Sequence, residues 1–423
     1  MRVLAADVPQ NADKSVRVAG WIHRIRNLGG ISFVLVRDRS GLVQLVYNGD
    51  VDFTLESVIQ VDGMVAANEK APGGYEVQVT ETTILAAAQP DLPLAVNQDP
   101  GNIGIDALLD NRIVSVRNPK IRHIFELQAS VLRYFAEYLR SRSFTEIKTS
   151  KLIGTGTEGG TGLFTVDYFG EPVFLAQSPQ FYKQAMVASG MERVFEIGAA
   201  YRAEKHDTPR HLNEYVSLDV EMGFIESERD LMDLEVEILA YVFAGVERDH
   251  AEILAEYETT VPSAEAIRNT PRISHDDAKE IIRKRTGARA FEINPEGERV
   301  LCEWAQEEHG VDAVFVYGFP RKKRPFYTYP EGLKTRSFDL LFRGLEITTG
   351  GQRINEYAML LETLPKFGLT EEGLADYAKI FRWGCPPHGG FAIGLERITQ
   401  KILGLANVKE ASLFPRDRKR VRP

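Results

Sequence analysis

The chain has 423 residues, 43% of them hydrophobic and 26% charged, the balance of a soluble globular protein with two or three sizeable cores. Its net charge of −9 excludes attraction of nucleic acid by the molecule as a whole, so such a partner has to be drawn by local basic patches, of which RKKR (321–324) and RDRKRVR (416–422) are candidates. Cys302 and Cys385 are too far apart to suggest a disulfide framework or a metal-ligand spacing, the histidines show no zinc spacing, and neither a membrane span nor a signal-like N-terminus is apparent, which predicts a cytoplasmic protein with no membrane partner.

From Val16 to about Ala88, short runs such as VRVAGWIHRI, ISFVLVRD, LVQLVYN and YEVQVTETTIL alternate with turn signals. They predict five antiparallel strands in a small Greek-key barrel, a binding module by default. The text PDLPLAVNQDPGNIG reads as a linker, and the expected organisation is a barrel over 1–95, a hinge over 96–117 and a larger domain over 118–423. Ile124, Phe125, Val131, Leu132, Phe135 and Leu139 recur at helical spacing, predicting an amphipathic helix that runs into a strand at FTEIKTSKLI.

GTGTEGGTGLF contains a GxGxxG spacing, but the strand-like LFTVDYF follows where a dinucleotide site needs a helix. It reads instead as a glycine-rich loop carrying Glu158, and a helix opens at Gln180 in QSPQFYKQ. Next come two strands, 194–201 and 215–222, around the loop AEKHDTPRHLN. Arg202, Glu204, His206, Arg210 and His211 sit there, and guanidinium forks suit phosphate oxygens. The same composition also fits a solvated tip with weak surface pairs. A helix is expected over 230–246, and 251–311 shows little pattern beyond HDDAKEIIRKR. The last third returns to strands at AVFVYGF, at TRSFDLLFRGLEITTGGQRI and at GGFAIGLERI, where strand turns to helix near Gly394.

The helix leading into FTEI, the FEIGAAYRAE hairpin and GGFAIGLERI resemble, in order and spacing, the three signature motifs of class II aminoacyl-tRNA synthetases. QSPQFYKQ, RAEKHDTPRHLNEY, EITTGGQRI and PPHGGFAIGLERI, closing on LFPRDRKR, resemble the aspartyl enzymes of the compact archaeal type. The resemblance covers nearly the whole chain. It implies an α+β fold: an N-terminal five-stranded OB-type β-barrel that binds the anticodon, and a class II catalytic domain built on an antiparallel sheet flanked by helices. The activity implied is ATP-dependent attachment of L-aspartate to tRNA through aspartyl-adenylate, by a homodimer with Mg2+ as cofactor.

By the same resemblance Arg202 contacts the α-phosphate, with Ala203 and Glu204 beside the ATP. Arg210, His211 and Leu212 lie along the loop over the nucleotide, and Gly394, Leu395, Glu396 and Arg397 close on it, Arg397 at the far phosphates. Oriented guanidiniums and a divalent metal are what adenylate formation requires. Glu346 carries magnesium, with Thr349 and Asp339 beside it, since one or two acids facing a triphosphate suffice; Asp339 alone could equally be ordinary strand polarity. For the amino acid, Glu158 and Gln180 hold the α-ammonium, Phe181, Tyr182, Arg202 and Thr349 lie near it, and Lys183 and Arg353 face the side-chain carboxylate. Asparagine there would leave buried positive charge unpaired, a cost of about 3 to 5 kcal/mol, or roughly a hundredfold to a few thousandfold. Asparaginyl enzymes lack the lysine. Two positions depart from the family pattern: Ser150 stands where the first motif usually has proline, which bears on the dimer interface, and Thr349 stands where serine is usual and keeps the hydroxyl.

In the barrel the resemblance has Phe33 stack the central anticodon base and Gln44 read its edge, with Arg26 and Glu76 nearby; burial statistics alone fit Phe33 to a core ring. Enzymes of this type that charge only the aspartate tRNA tend to carry tryptophan and lysine where this chain has His23 and Pro72. These two residues resemble the non-discriminating type, which charges both tRNA(Asp) and tRNA(Asn) and leaves the misacylated product to a separate amidotransferase. The alternatives are a discriminating aspartyl enzyme, an asparaginyl enzyme, which Lys183 disfavours, and a non-catalytic RNA-binding paralogue, which would not need Arg202, Glu346 and Arg397.

Overall fold

Alternation of side chains sets the N-terminal strands β1 (Ser15–Asn27), β2 (Ile31–Asp38), β3 (Gly41–Asn48), β4 (Val58–Ala67) and β5 (Tyr75–Ala86), whose inward residues include Val18, Ile22, Val34, Leu45, Val61 and Val77. In the computed structural model, which describes residues 2–156, 162–287 and 292–422, these strands form a closed barrel in the order β1-β2-β3-β5-β4. Closure brings backbones together at Gly20, where a Cβ would lie 2.2 Å from the Arg37 carbonyl oxygen, so glycine is required there. The chain divides into two compact units, Met1–Arg122 and His123–Pro423. Within the first, helices α1 (Ile105–Asp110) and α2 (Arg112–Ser115) follow the barrel, and the Asn118 amide donates to the carbonyls of Val96 (2.9 Å) and Gln98 (2.8 Å).

Helix α3 (Pro119–Ser141) buries Ile124, Leu127, Val131, Phe135 and Leu139, the face its periodicity predicts. The strand expected at FTEIKTSKLI is broken into β6 (Thr145–Glu146) and β7 (Leu152–Ile153). Buried Glu196 causes the break by accepting from the Thr149 N–H (3.1 Å), the Thr149 hydroxyl (2.7 Å) and Lys151 Nζ (2.8 Å). Ser150 donates its hydroxyl to the Leu152 carbonyl at 2.9 Å and so makes a turn of its own where proline was expected.

Strands β8 (Thr165–Tyr168) and β9 (Glu171–Leu175) complete a small sheet with β7 and lead to α4 (Gln180–Met186). Then come the hairpin β10 (Arg193–Tyr201) and β11 (Glu214–Gly223), α5 (Glu228–Asp249) with a Ser227/Asp230 capping box, α6 (Ala251–Glu256) and α7 (Ala264–Arg268). The stretch that showed little pattern continues with β12 (Arg272–Ser274), α8 (His275–Thr286) and α9 (Pro295–His309). Strand β13 (Ala313–Tyr317), the short pair β14 (Pro330–Glu331) and β15 (Lys334–Thr335), then β16 (Ser337–Phe342), β17 (Leu345–Gln352), α10 (Tyr357–Thr363), α11 (Ala375–Arg382), β18 (His388–Gly394) and α12 (Leu395–Leu403) finish the unit.

The main sheet runs β12-β13-β16-β17-β18-β11-β10-β6, antiparallel except at its two edge pairs. Leu218, Val220, Phe338, Leu340, Phe391 and Ile393 belong to the core with α3, α5 and α12. Register then places Asp219, Ala392, Thr349 and Asp339 in one row on the opposite face, and Glu221, Gly390, Gly351 and Ser337 in the next. Glycine and alanine on the central strand leave a shallow floor flanked by carboxylates. A Cβ on Gly390 would lie 2.0 Å from the Val220 carbonyl oxygen and 2.2 Å from Glu221 Oε2. Gly390→Ala is therefore expected to lower stability by about 1–3 kcal/mol, seen as a lower denaturant midpoint; an unchanged midpoint would show that the floor yields.

Candidate active site

A cleft of about 630 Å³, the size of a small-molecule site, lies on this polar face. The predicted residues Gln180, Lys183, Arg202, Glu204, Arg210, His211, Leu212, Glu346, Thr349, Arg353, Gly394, Glu396 and Arg397 all line it. A bulge in β17 takes part: Leu340 faces Thr348 but Leu341 faces Glu346, so Ile347 is an extra residue and the alternation shifts. Glu346 and Thr349, three apart, thereby both reach the cleft.

At one end, the turn of α4 puts Gln180, Lys183 and Gln184 on one buried face. Lys183, 2% exposed, pairs with Asp219 (3.0 Å) and Glu221 (3.3 Å), and Arg353 pairs with Glu221 (3.0 Å) and donates to the Gly390 carbonyl (2.9 Å). Burial opposes charge on Glu221, yet Arg353 and Lys183 hold its carboxyl below the ordinary value. Gln180 Nε2 is buried and has no acceptor among the described residues, a donor available to a ligand. The same helical geometry corrects two expectations. Phe181 turns away to stack on Tyr377 with ring centroids 4.2 Å apart, Tyr182 is exposed, and neither lines the cleft. Glu158 lies outside the described residues.

At the other end, Arg202 leaves β10 with its guanidinium over the Tyr215 ring, and its backbone N–H donates to the Asn213 carbonyl at 2.8 Å. Arg210 bonds Glu298 on α9, whose Oε2 also accepts the Glu346 N–H at 3.0 Å. Arg397 donates to the Glu346 carbonyl at 2.8 Å and approaches its carboxylate at 3.4 Å. His211 Nδ1 lies 2.6 Å from the Thr208 hydroxyl, and burial, then Arg397, lowers its pKa. Glu396 accepts the Val216 N–H on both oxygens and is pushed up to about 7 by burial, so it ties α12 to β11. Ala203 and Leu395 do not line the cleft: the Ala203 N–H bonds the Gly162 carbonyl, and Leu395 packs in the core.

Asp339 lies just behind the cleft wall, with Arg324 on Oδ2 (2.7 Å) and the Thr349 hydroxyl on Oδ1 (2.9 Å). Burial pushes its carboxyl up to about 6, with Arg324 opposing. Among the described residues there is no group of three His, Cys, Asp or Glu able to hold a metal. A hard cation at Glu346 and Asp339 fits only if phosphate or water oxygens complete its shell, which is how magnesium is usually held.

Asp219, Glu221 and Glu298 were not expected from the sequence, and Arg324 was expected only as part of a basic patch. The first two had a signal: in YVSLDVE the residues Ser217, Asp219 and Glu221 alternate with Val216, Leu218 and Val220, a polar face on a central strand. The RKKR patch belongs to the cleft, since Lys322, Lys323 and Arg324 line it and Arg321 donates to the Thr363 hydroxyl. Part of the basic tail is docked as well: Asp417 is buried and pairs with Lys409 (2.8 Å) and Arg420 (2.9 Å).

In the barrel, register puts Arg26 opposite Phe33, Leu35 opposite Gln44, and Gln44 beside Glu76. Phe33 is half-buried and absent from the core, so it belongs to the outer face, and the Gln44 amide donates to Glu76 at 3.0 Å. Pro72 is exposed at the start of a one-turn helix (Pro72–Gly74). His23 is elsewhere: it is the extra residue of a bulge between Ile22 and Arg24, buried, with Arg37 donating to Nδ1 at 3.0 Å. Burial and Arg37 lower its pKa.

An OB-type barrel accompanied by an antiparallel sheet whose polar face gathers arginines and acids is the make-up of a class II aminoacyl-tRNA synthetase. The family described as tRNA synthetases class II (D, K and N) matches residues 104–418, and the OB-fold nucleic acid binding domain matches 16–85. The chain belongs to the class II tRNA synthetases, enzymes that join an amino acid to tRNA using ATP and Mg2+. Its curated relatives include the aspartate–tRNA(Asp/Asn) ligases of Deinococcus radiodurans, 46% identical over 100% of this chain and 99% of the relative, and of Thermus thermophilus, 47% identical over 100% of both. The aspartate–tRNA(Asp) ligase of Pyrococcus horikoshii is 42% identical over 97% of this chain and 96% of its own. The solved asparaginyl-tRNA synthetase of Pyrococcus horikoshii with asparaginyl-adenylate matches at a TM-score of 0.93, 29% identical over 100% of both chains. The fold class expected from the sequence is the one found.

Proposed function

We propose that the protein activates L-aspartate with ATP and transfers it to both tRNA(Asp) and tRNA(Asn). The observation that carries the choice of aspartate is Lys183, buried beside Arg353 at one end of the cleft. In the first step an oxygen of the aspartate α-carboxylate bonds to the α-phosphorus of ATP, and the bond to the bridging oxygen breaks to release pyrophosphate. Arg202 donates to the α-phosphate as charge moves, and Arg397 and Arg210 hold the outer phosphates. Glu346, with Asp339 and Thr349, would hold magnesium, which would supply charge neutralisation on the phosphates. Glu158 and Gln180 hold the α-amino end. The terminal hydroxyl of tRNA then attacks the acyl carbon, and AMP leaves.

The OB-type barrel offers Phe33, with Arg26, Gln44 and Glu76 around it, to the anticodon, and His23 and Pro72 relax the choice between the two tRNAs. The name carried by the Deinococcus and Thermus relatives supports this relaxed reading. We further assign a cytoplasmic homodimer, organised as a barrel over 1–95, a hinge over 96–117 and a catalytic domain over 118–423, whose Asp-tRNA(Asn) passes to a tRNA-dependent amidotransferase. Purified protein is expected to charge transcripts of both tRNAs with aspartate at rates within about tenfold, and to give no ATP–pyrophosphate exchange with asparagine. No charging of tRNA(Asn) would leave a discriminating enzyme, and exchange with asparagine would overturn the choice of amino acid.

A further inference from the structure

Four groups at the phosphate end close a circuit of hydrogen bonds, and one of them, Glu298, stands outside every motif that carries the family resemblance. Arg210 Nη2 donates to Glu298 Oε2, and the same oxygen accepts the Glu346 N–H at 3.0 Å. The Glu346 carbonyl accepts Arg397 Nη1 at 2.8 Å, and Arg397 Nη2 returns to the Arg210 carbonyl at a long 3.5 Å. Glu298 rises from the first turn of α9, where the Asn294 side chain caps the Gly297 N–H at 2.9 Å and Pro295 sets the entry. Its side chain is 10% exposed, so the carboxylate has few alternative partners.

We infer that Glu298 is a positioning residue for adenylate formation, holding the hairpin loop, strand β17 and the arginine of α12 at a fixed spacing before nucleotide arrives. The inference rests on the proposed seat of the phosphates between Arg202, Arg210 and Arg397. A single carboxylate oxygen can accept both donors, and its bond to a guanidinium is charge-assisted. An unrestrained loop would lose conformational freedom only on binding ATP, so a clamp made in advance favours nucleotide and not amino acid.

The test is ATP–pyrophosphate exchange with Glu298→Ala, Glu298→Gln and Arg210→Ala, joined by hydrogen exchange on nucleotide-free protein. Glu298→Ala is expected to raise the KM for ATP about tenfold and leave the KM for aspartate within about twofold. Glu298→Gln, which keeps an acceptor for the Glu346 N–H but loses the charge, falls between. Combining Glu298→Ala with Arg210→Ala costs less than the product of the two single effects, because the Arg210–Glu298 bond is cut in both and Glu298→Ala adds only the loss of its bond to the Glu346 N–H. Amides of 204–212 exchange faster in Glu298→Ala while those of β10 and β18 keep their protection. Multiplying effects in the double variant, equal KM changes for the two substrates, or unchanged loop exchange would overturn the inference. If Arg210→Ala leaves the KM for ATP unchanged, the seat of the phosphates is wrong, and the exchange comparison still decides whether Glu298 clamps the loop.

Discussion

Lys183→Met is expected to abolish aspartate activation and to lower stability by about 3–5 kcal/mol, the usual consequence of removing one partner from a buried ionic cluster. The ammonium, 2% exposed, lies 3.0 Å from Asp219 and 3.3 Å from Glu221. Without it Glu221 still has Arg353, but the Asp219 carboxylate loses its ion pair with Lys183. Both effects are measurable on one preparation, as ATP–pyrophosphate exchange and as a denaturant midpoint. Lys183→Arg keeps the charge but not the compact geometry, so it should recover more stability than activity. Wild-type stability together with wild-type exchange in Lys183→Met would sink the assignment of this end of the cleft.

Arg202→Ala is expected to lower kcat for the exchange reaction by about 10²–10³, the loss usual for one preorganised donor to developing charge, while stability changes by less than about 1 kcal/mol. Its backbone N–H is held by the Asn213 carbonyl whatever the side chain, so the strand end should keep its place. Arg202→Lys should restore little, because a point charge does not reproduce a planar fork. A loss under about fivefold would move the α-phosphate away from this residue.

The two variants separate what was legible in the sequence from what was not. The family resemblance carried by FEIGAAYRAE, EITTGGQRI and GGFAIGLERI implied one site for Arg202, Glu346, Arg353 and Arg397, and the adjacent strands that bear these motifs do bring the four side chains to one cleft. Residues brought in by long-range packing carried no local signal. Glu298 sits 88 residues from Arg210, in a stretch that showed only charge. Phe181 and Tyr182 look like site residues beside Lys183, and only the turn of α4 sends them elsewhere.

The preference for aspartate over asparagine has a different physical basis from the one the sequence suggests: Lys183 and Arg353 do not await a partner but already have Asp219 and Glu221. Asparagine therefore strands no bare charge, and selectivity has to arise from how a third carboxylate shares the two cations. His23 teaches a similar lesson, since a bulge turns it toward Arg37 and away from the regular register of Arg26 and Phe33.

The docked tail bears on the order in which the protein comes off the ribosome. Asn213 donates its N–H to the Arg416 carbonyl at 2.8 Å, Arg418 reaches the Lys205 carbonyl at 3.1 Å, and Lys409 pairs both with Asp207, 202 residues away in sequence, and with Asp417. The barrel can fold early in synthesis, as N-terminal domains do. The loop between β10 and β11 acquires its last supports only when residues 408–420 have emerged. Nascent chains thus hold an anticodon-binding module long before they hold a finished adenylation site.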